Sequence, residues 1–348
     1  MSATALEHVM LALRGGKPPK TPFTSYDMYV PQCNTERFLR NRGMCIVNRI
    51  ASTEMVFKGV LEETCHYRTA DGKQMRRQSF DTPHGKLFWE AELAGNYEWI
   101  TSYLFKSESD FKAIRYLFNN AEIKETYASL AQRIRNNGGD SMLRERLWMP
   151  MQWIISTHLM STNEFALQWY DNRDEIEGLY RELREIARTA YTVIAAGPLE
   201  VFNYGGNVIP QITGREIFEK FYIPDYCEAA EIMHDAGKLI GSHFDGENEL
   251  IMDLIAKTPL DYIESYDPCC SPGIAEARRI FGRKPLWINW PSAWHYLSPG
   301  QIVDKTVGLI REAGDNGGFI IGISEDPPYD RWAEIMTAIS DGIEYAAM

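Results

Sequence analysis

Short apolar runs that end in polar residues recur through the second half of the chain. The clearest is residues 238–245 (K-L-I-G-S-H-F-D), where the apolar run stops at His243 and Asp245. Alternate residues of a strand share a face, so these two side chains would converge while Phe244 points the other way. Three more runs end in the same manner, and they are residues 261–267 with Glu264, 285–290 with Asn289, and 318–325 with Glu325.

Segments with helical periodicity separate these runs, which gives an alternation of strand and helix. Such an alternation predicts a parallel sheet, and nearly continuous apolar strands indicate that helices cover both faces. The fold class we predict is α/β, a (β/α)8 TIM barrel with an N-terminal helical and β-hairpin extension. The carboxyl ends of the strands form one rim of such a barrel, and active sites are built there.

The N-terminal third has a different pattern. Residues 1–14 predict a helix, residues 21–29 a strand and residues 35–43 a short helix. Between residues 53 and 89, two alternating runs flank Asp71-Gly72, which predicts an antiparallel hairpin or small meander. We therefore expect one barrel domain over residues 1–348, in which residues 1–90 contain the helix and the hairpin insertion.

Composition narrows the class of protein. The 348 residues are 45% hydrophobic and 24% charged, as in a soluble globular protein, and the formal net charge of −12 argues against nucleic-acid binding. No apolar run reaches the roughly 18 residues of a membrane span. The first 14 residues resemble an amphipathic helix and not a signal peptide, because Glu7 and His8 interrupt the apolar stretch. Six scattered cysteines indicate reduced thiols and a cytoplasmic location.

Four residues at predicted strand ends are candidates for chemistry, and they are His243, Asp245, Glu264 and Glu325. As a metal site, they offer the nitrogen and oxygen ligands of a catalytic zinc. Without metal, the same carboxylates can act as general acid and base. The alternative is that they are solvated or paired with arginines.

Two further groups of residues could bind a substrate at the same rim. Asn207 and Asn289 are neutral donors that could orient a substrate oxygen, although they could equally cap turns. Trp148, Tyr204 and Trp290 are aromatic residues near predicted strand ends. Each taken alone is most simply a core residue. Together they would line an apolar, flat pocket that suits an aromatic ligand.

Several segments resemble the uroporphyrinogen decarboxylase superfamily, and within it the corrinoid-dependent methyltransferases. The resemblance covers most of the chain, beginning with L-R-G-G-K-P-P-K-T-P-F and becoming densest from N-Y-G-G-N to G-I-S-E-D-P-P. The segments G-S-H-F-D-G, I-E-S-Y and I-N-W-P-S look most like the methyltransferases that demethylate methoxylated aromatic compounds. The family fold is a (β/α)8 barrel, in agreement with the pattern.

The resemblance implies an enzyme that moves a methyl group from a methoxylated aromatic compound to the cobalt of a separate corrinoid protein. Thiol-methylating relatives bind zinc through an H-x-C pair, a downstream Glu and a late Cys. Here His243 matches the histidine and Glu264 the downstream acid, while Asp245 and Glu325 stand where the two cysteines would be. Replacing both thiolates by carboxylates fits a site that handles oxygen. The resemblance leaves open whether zinc is a cofactor and whether the protein forms a homodimer.

Three alternatives remain at this stage. One is a decarboxylase like uroporphyrinogen decarboxylase, although the family's early arginine-rich motif is not evident in S-Y-D-M-Y-V-P-Q-C-N-T-E-R. Another is a zinc-dependent methylcobalamin:thiol methyltransferase. The last is a barrel-fold binding protein or corrinoid-protein activator that catalyses nothing.

Overall fold

The chain folds into two compact units, each built from separate stretches of sequence. A computed structural model describes residues 3–206, 208 and 210–348, with residues 156 and 157 as backbone alone. The first unit comprises Met1–Ala51, Ala128–Leu147 and Pro198–Met348, and the second comprises Ser52–Tyr127 and Trp148–Gly197. The expectation of one domain over residues 1–348 stays a prediction, because compact units need not fold independently.

The strands and helices of the described residues follow in chain order. The strands are β1 (Phe23–Tyr26), β2 (Met44–Ile50), β3 (Thr53–Phe57), β4 (Leu61–Arg68), β5 (Gln74–Thr82), β6 (Gly85–Ala94), β7 (Tyr97–Ser102), β8 (Ala121–Glu125), β9 (Ser141–Leu147), β10 (Val201–Tyr204), β11 (Leu239–His243), β12 (Tyr262–Tyr266), β13 (Leu286–Asn289) and β14 (Phe319–Ile323). The helices are α1 (Ala5–Leu13), α2 (Asn34–Asn41), α3 (Phe111–Asn119), α4 (Tyr127–Asn136), α5 (Pro150–Gln152), α6 (Thr162–Asp171), α7 (Arg173–Ala196), α8 (Pro210–Ile217), α9 (Ile223–Asp235), α10 (Met252–Lys257), α11 (Ile274–Phe281), α12 (Pro299–Ala313) and α13 (Trp332–Ala347).

The first unit is a closed barrel of parallel strands. Its order is β1-β14-β13-β12-β11-β10-β9-β2, and β1 also pairs with β2 to complete the ring. Helices α9 to α13 separate the later strands along the chain, and apolar strands such as β14 (F-I-I-G-I) are buried throughout. The predicted (β/α)8 barrel is confirmed.

The second unit contains the antiparallel strands. β4 to β7 form one four-stranded sheet, and β3 pairs with β8. β4 and β5 form the hairpin around Asp71-Gly72, where Gly72 has φ 89°, a conformation that favours glycine. Phe57 contacts Phe80 and Phe118 edge-on, at 5.6 and 6.0 Å between ring centroids. The meander is thus longer than the predicted hairpin and continues to Ser102.

None of the helices that the structure describes is both long and apolar enough to cross a membrane.

Candidate active site

Polar side chains meet inside the barrel near the carboxyl ends of its strands. His243 of β11 is in register with Glu264 of β12, and Asn203 of β10 is in register with Arg146 of β9. Residues opposite one another on neighbouring strands share a face of the sheet. The register therefore directs these side chains to the barrel interior, while Phe244 is fully buried on the other side against Tyr226 of α9.

Glu264 is the centre of this network, and it is only 1% exposed. One carboxylate oxygen accepts hydrogen bonds from the Tyr26 hydroxyl at 2.5 Å and from Arg144 at 2.8 Å. The other accepts from Asn203 at 3.0 Å and lies 2.7 Å from His243 Nδ1. Burial alone would raise the pKa of Glu264, but the Arg144 and His243 charges hold it well below the usual range. Glu264 is therefore an ionised buried carboxylate.

His243 lies between two carboxylates. Its Nδ1 faces Glu264, and its Nε2 lies 3.2 Å from the Asp245 carboxylate. Both ring nitrogens can donate only in the charged imidazolium. Burial opposes that charge, but Glu264 and Asp245 outweigh it and raise the pKa of His243 to about 9. Because His243 pairs with Asp245, and Glu264 with Arg144, the four charges balance.

Two local features of the sequence allow this packing. Gly241 is required because a Cβ there would lie 2.2 Å from the ring of Tyr262, which passes over β11 to donate to the Phe202 carbonyl of β10 at 2.6 Å. Ser265 has φ 59°, and the register of β12 against β13 shifts between Glu264 and Tyr266. Such a register shift is typical of a β-bulge, and bulges that redirect a side chain are common next to active sites. The E-S-Y segment thus places Glu264 inside while the chain turns immediately after it.

The structure brings together three of the four predicted catalytic residues, and they are His243, Asp245 and Glu264. Glu325 is not among them: it is exposed and accepts a hydrogen bond from Ser292 at 3.0 Å. Since it follows the end of β14, strand alternation does not direct it inward. Its predicted catalytic role therefore has no support in the contacts of its side chain.

The predicted substrate-binding residues are dispersed. Asn289 is buried. Its side-chain oxygen, Oδ1, accepts hydrogen bonds from the backbone N–H and the hydroxyl of Ser324 at 3.1 and 2.9 Å. Tyr204 contacts Tyr226 of α9 at 5.3 Å between centroids, and Trp290 donates to Thr306 of α12 at 3.0 Å. Both rings contact the outer helices, so these contacts do not place them at the mouth, and their role in substrate binding stays a prediction.

The last two predicted substrate-binding residues are Asn207 and Trp148. Asn207 lies outside the residues that the structure describes. Trp148 belongs to the second unit, where its ring centroid lies 4.7 Å from that of Trp153.

The donor set does not fit zinc as it is arranged. Among the described residues, no three His, Cys, Asp or Glu side chains form a group that could hold a metal ion. A histidine ligand needs a neutral nitrogen with a free lone pair, whereas both nitrogens of His243 face carboxylates. Glu264 is already paired with Arg144, and Glu325 is bonded elsewhere. Arranged in this way, the network can perform acid–base and electrostatic chemistry.

Three residues of the network escaped the sequence analysis, and they are Tyr26, Arg144 and Asn203. A signal for Arg144 existed in the R-E-R of β9, because alternate residues share a face and a charge inside a buried strand requires a partner. Tyr26 and Asn203 also end short buried strands, but neither residue type predicts chemistry by itself.

Fold and site together define a (β/α)8-barrel protein with a charged hydrogen-bond network at the carboxyl ends of its strands. No protein-family model and no curated protein matches the sequence. Among solved structures, a methyltransferase from Methanosarcina mazei matches over 99% of both chains, with a TM-score of 0.59 and 12% sequence identity. At that identity, the likeness establishes the shared fold alone.

A more distant match is a pneumococcal exo-β-D-N-acetylglucosaminidase, StrH, with tandem GH20 catalytic modules. It covers 97% of this chain and 87% of that one, at 12% identity and a TM-score of 0.40. This second likeness is too distant to bear on the fold or the site.

Proposed function

We propose that the protein is a methyltransferase that takes a methyl group from a methoxylated aromatic compound and passes it to the cobalt of a separate corrinoid protein. The observation that carries the proposal is the position of His243, whose two ring nitrogens face Glu264 and Asp245 at the carboxyl end of the barrel. The fold shared with the methyltransferase from Methanosarcina mazei supports it, as does the resemblance of G-S-H-F-D-G and I-E-S-Y to O-demethylating enzymes.

The chemical difficulty of this reaction is the leaving group. When the bond between the methyl carbon and the ether oxygen breaks, the electron pair stays on the phenolic oxygen. A phenolate is a poor leaving group, because a phenol has a pKa of about 10. Such a step is faster when an acid of similar pKa donates a proton to the oxygen as the negative charge develops there. His243, with a pKa of about 9, is matched to that task.

The geometry indicates which proton moves. His243 Nδ1 stays bonded to the buried Glu264, whereas Nε2 faces Asp245, which is a quarter exposed. Nε2 would donate its proton to the ether oxygen, and the neutral ring would regain a proton from solvent. Glu264 and Arg144 would act as positioning residues, since they fix the ring and its charge.

The corrinoid, carried by the partner protein, supplies when bound a reduced cobalt that accepts the methyl group. Gly206 lies beside His243 and presents no side chain there. A Cβ on Gly206 would lie 3.5 Å from the Cβ of His243. We expect the partner to dock at this rim.

A spectroscopic methyl-transfer assay tests the proposal. The protein is mixed with a panel of methoxyarenes and reduced corrinoid, and formation of methyl-cobalt is followed by absorbance. We expect transfer by the wild type and a loss of about 100-fold or more in His243→Asn, the scale of general acid catalysis. His66→Asn, an exposed histidine of β4 in the second unit, serves as the matched control and should stay active.

The alternative functions give different results in the same experiment. Full activity in His243→Asn would refute the assignment of the acid. Absence of transfer from every methoxyarene, with decarboxylation of a porphyrinogen seen by product analysis, would establish the decarboxylase instead. Tight binding of a corrinoid protein without any turnover would favour the activator.

A further inference from the structure

Two arginines beside this network have no part in the mechanism above. Arg49 of β2 and Arg146 of β9 are both exposed, and neither forms an ion pair with any described carboxylate. The Arg49 guanidinium lies 4.8 Å from the centre of the Tyr26 ring and contacts the Met28 sulfur. Arg146 donates through Nε to the Gly205 carbonyl at 3.1 Å. Both cations therefore keep donors free for a ligand.

Strand register places both arginines above the buried network. Arg144 and Arg146 are alternate residues of β9, so Arg146 projects to the same interior, one step nearer the carboxyl end. Arg49 is in register with Arg144 on the neighbouring strand.

A distance at Gly206 places Arg146 beside the proposed acid. A Cβ on Gly206 would lie 3.6 Å from Arg146 Nη2 and 3.5 Å from the His243 Cβ. The guanidinium of Arg146 and the side chain of His243 thus both lie beside Gly206.

Two arginines at this end of the barrel lack a paired carboxylate among the described residues. Arg144 pairs with Glu264, and His243 pairs with Asp245. Arg49 and Arg146 have no such partner in the part of the chain that the structure describes. Two other acids near the rim, Asp267 and Glu325, accept hydrogen bonds from the Cys269 amide and from Ser292, and neither forms an ion pair with Arg49 or Arg146. The nearby positive charges of Arg49 and Arg144 repel that of Arg146, so an anion bound among them would be stabilised. Two unpaired arginines can attract an anion even on a chain of net charge −12.

We propose that Arg49 and Arg146 form an oxyanion-binding site at the barrel mouth, which holds a carboxylate on the substrate ring and sets substrate specificity. Guanidinium groups bind carboxylates through paired, charge-assisted hydrogen bonds, which are stronger than neutral ones. The identity of the ring rests on the proposed function, whereas the anion site rests on the arginines alone.

The test is a binding comparison in which two ligands differ only in charge. Calorimetry compares 4-methoxybenzoate with 4-methoxybenzamide, in the whole protein and without corrinoid, so that the result does not depend on turnover. We expect the wild type to bind the carboxylate about tenfold or more tightly than the amide, because charge-assisted hydrogen bonds exceed neutral ones. Arg49→Gln and Arg146→Gln should each remove about tenfold of that preference.

A matched control and a second anion complete the design. Arg279→Gln changes an exposed arginine of α11 that pairs with Glu276, so the preference should stay intact. Unchanged amide binding and thermal unfolding would show that the mouth variants remain folded. Inorganic phosphate is added as a competitor, and we expect it to displace the benzoate only weakly.

Each outcome bears on the proposal. Equal binding of the two ligands by the wild type would overturn the proposal. An unchanged carboxylate preference in both Arg49→Gln and Arg146→Gln would also overturn it. So would displacement of the ligand by phosphate that is as strong as its displacement by free benzoate. A carboxylate preference without methyl transfer would keep the anion site and refute the proposed function. Methyl transfer at equal rates from charged and uncharged donors would keep the proposed function and refute the anion site.

Discussion

Glu264→Gln tests the electrostatic reasoning most directly, because it removes the charge around which the network is built. In the wild type, the pKa of His243 is raised from its ordinary value of 6.5 to about 9, chiefly by Glu264 acting against burial. A glutamine keeps the shape and can still hydrogen-bond, but it carries no charge. We expect the pKa of His243 to fall by at least about one unit, and burial would then oppose its charge.

The same shift has a consequence for stability. A rise from 6.5 to about 9 corresponds to roughly 3 kcal/mol, at about 1.4 kcal/mol for each pKa unit. Because the folded pKa is the higher one, this contribution is fully present below pH 6.5 and is lost as the pH rises through 9. The free energy of unfolding of the wild type should therefore decline across that window, and Glu264→Gln should flatten the decline.

Nuclear magnetic resonance of histidine-labelled protein measures the pKa, and urea unfolding at several pH values measures the stability. Glu264→Gln also leaves Arg144 buried without its counter-charge, which costs about 3–5 kcal/mol and could unfold the protein. The double variant Arg144→Met, Glu264→Gln removes both charges and keeps the test valid. Asp245→Asn is the matched control, since it removes the more exposed carboxylate and should lower the pKa less. A His243 that still titrates near 9 in the double variant would refute the reasoning.

Further predictions concern single contacts. Tyr26→Phe removes a hydrogen bond to a buried carboxylate and should lower the free energy of unfolding by about 2 kcal/mol in urea titrations. Gly241→Ala forces a Cβ to within 2.2 Å of the Tyr262 ring, so we expect a loss of about 1–3 kcal/mol by the same measurement. Glu325→Gln should leave methyl transfer unchanged, and a large loss would restore its place in the site. The transfer rate should fall as the pH rises past about 9, where His243 loses its proton, and a rate flat to pH 10 would exclude it as the acid.

The apolar pattern predicted the barrel better than it predicted the site. β11 to β14 are largely buried, so their strands stand out, and α10, α11 and α12 separate them as the predicted alternation requires. β2 and β9 are harder to recognise in the sequence, because Arg49 and Arg144 interrupt their apolar runs. These interruptions are the polar lining of the barrel, so the feature that obscures a strand also marks its function.

The alternation of side chains along a strand bears on the predicted positions of Tyr204 and Trp290. Tyr204 follows Asn203 directly, and Trp290 follows Asn289, so within each pair only one side chain can face inward. The sequence places the members of each pair side by side, but it does not say which one enters the barrel. That choice depends on partners from distant strands, such as the bond from Asn203 to Glu264.

The ring of strands closes between its first and last members. β1 pairs with β14, so Phe23 lies opposite Ile321, although nearly the whole chain separates them. A ribosome must release almost the entire protein before that seam can form, and until then β1 and β14 each present an open edge. Contacts between remote parts of a chain slow folding and leave such edges exposed to aggregation. Synthesis of this protein should accordingly depend on chaperones more than its ordinary composition suggests.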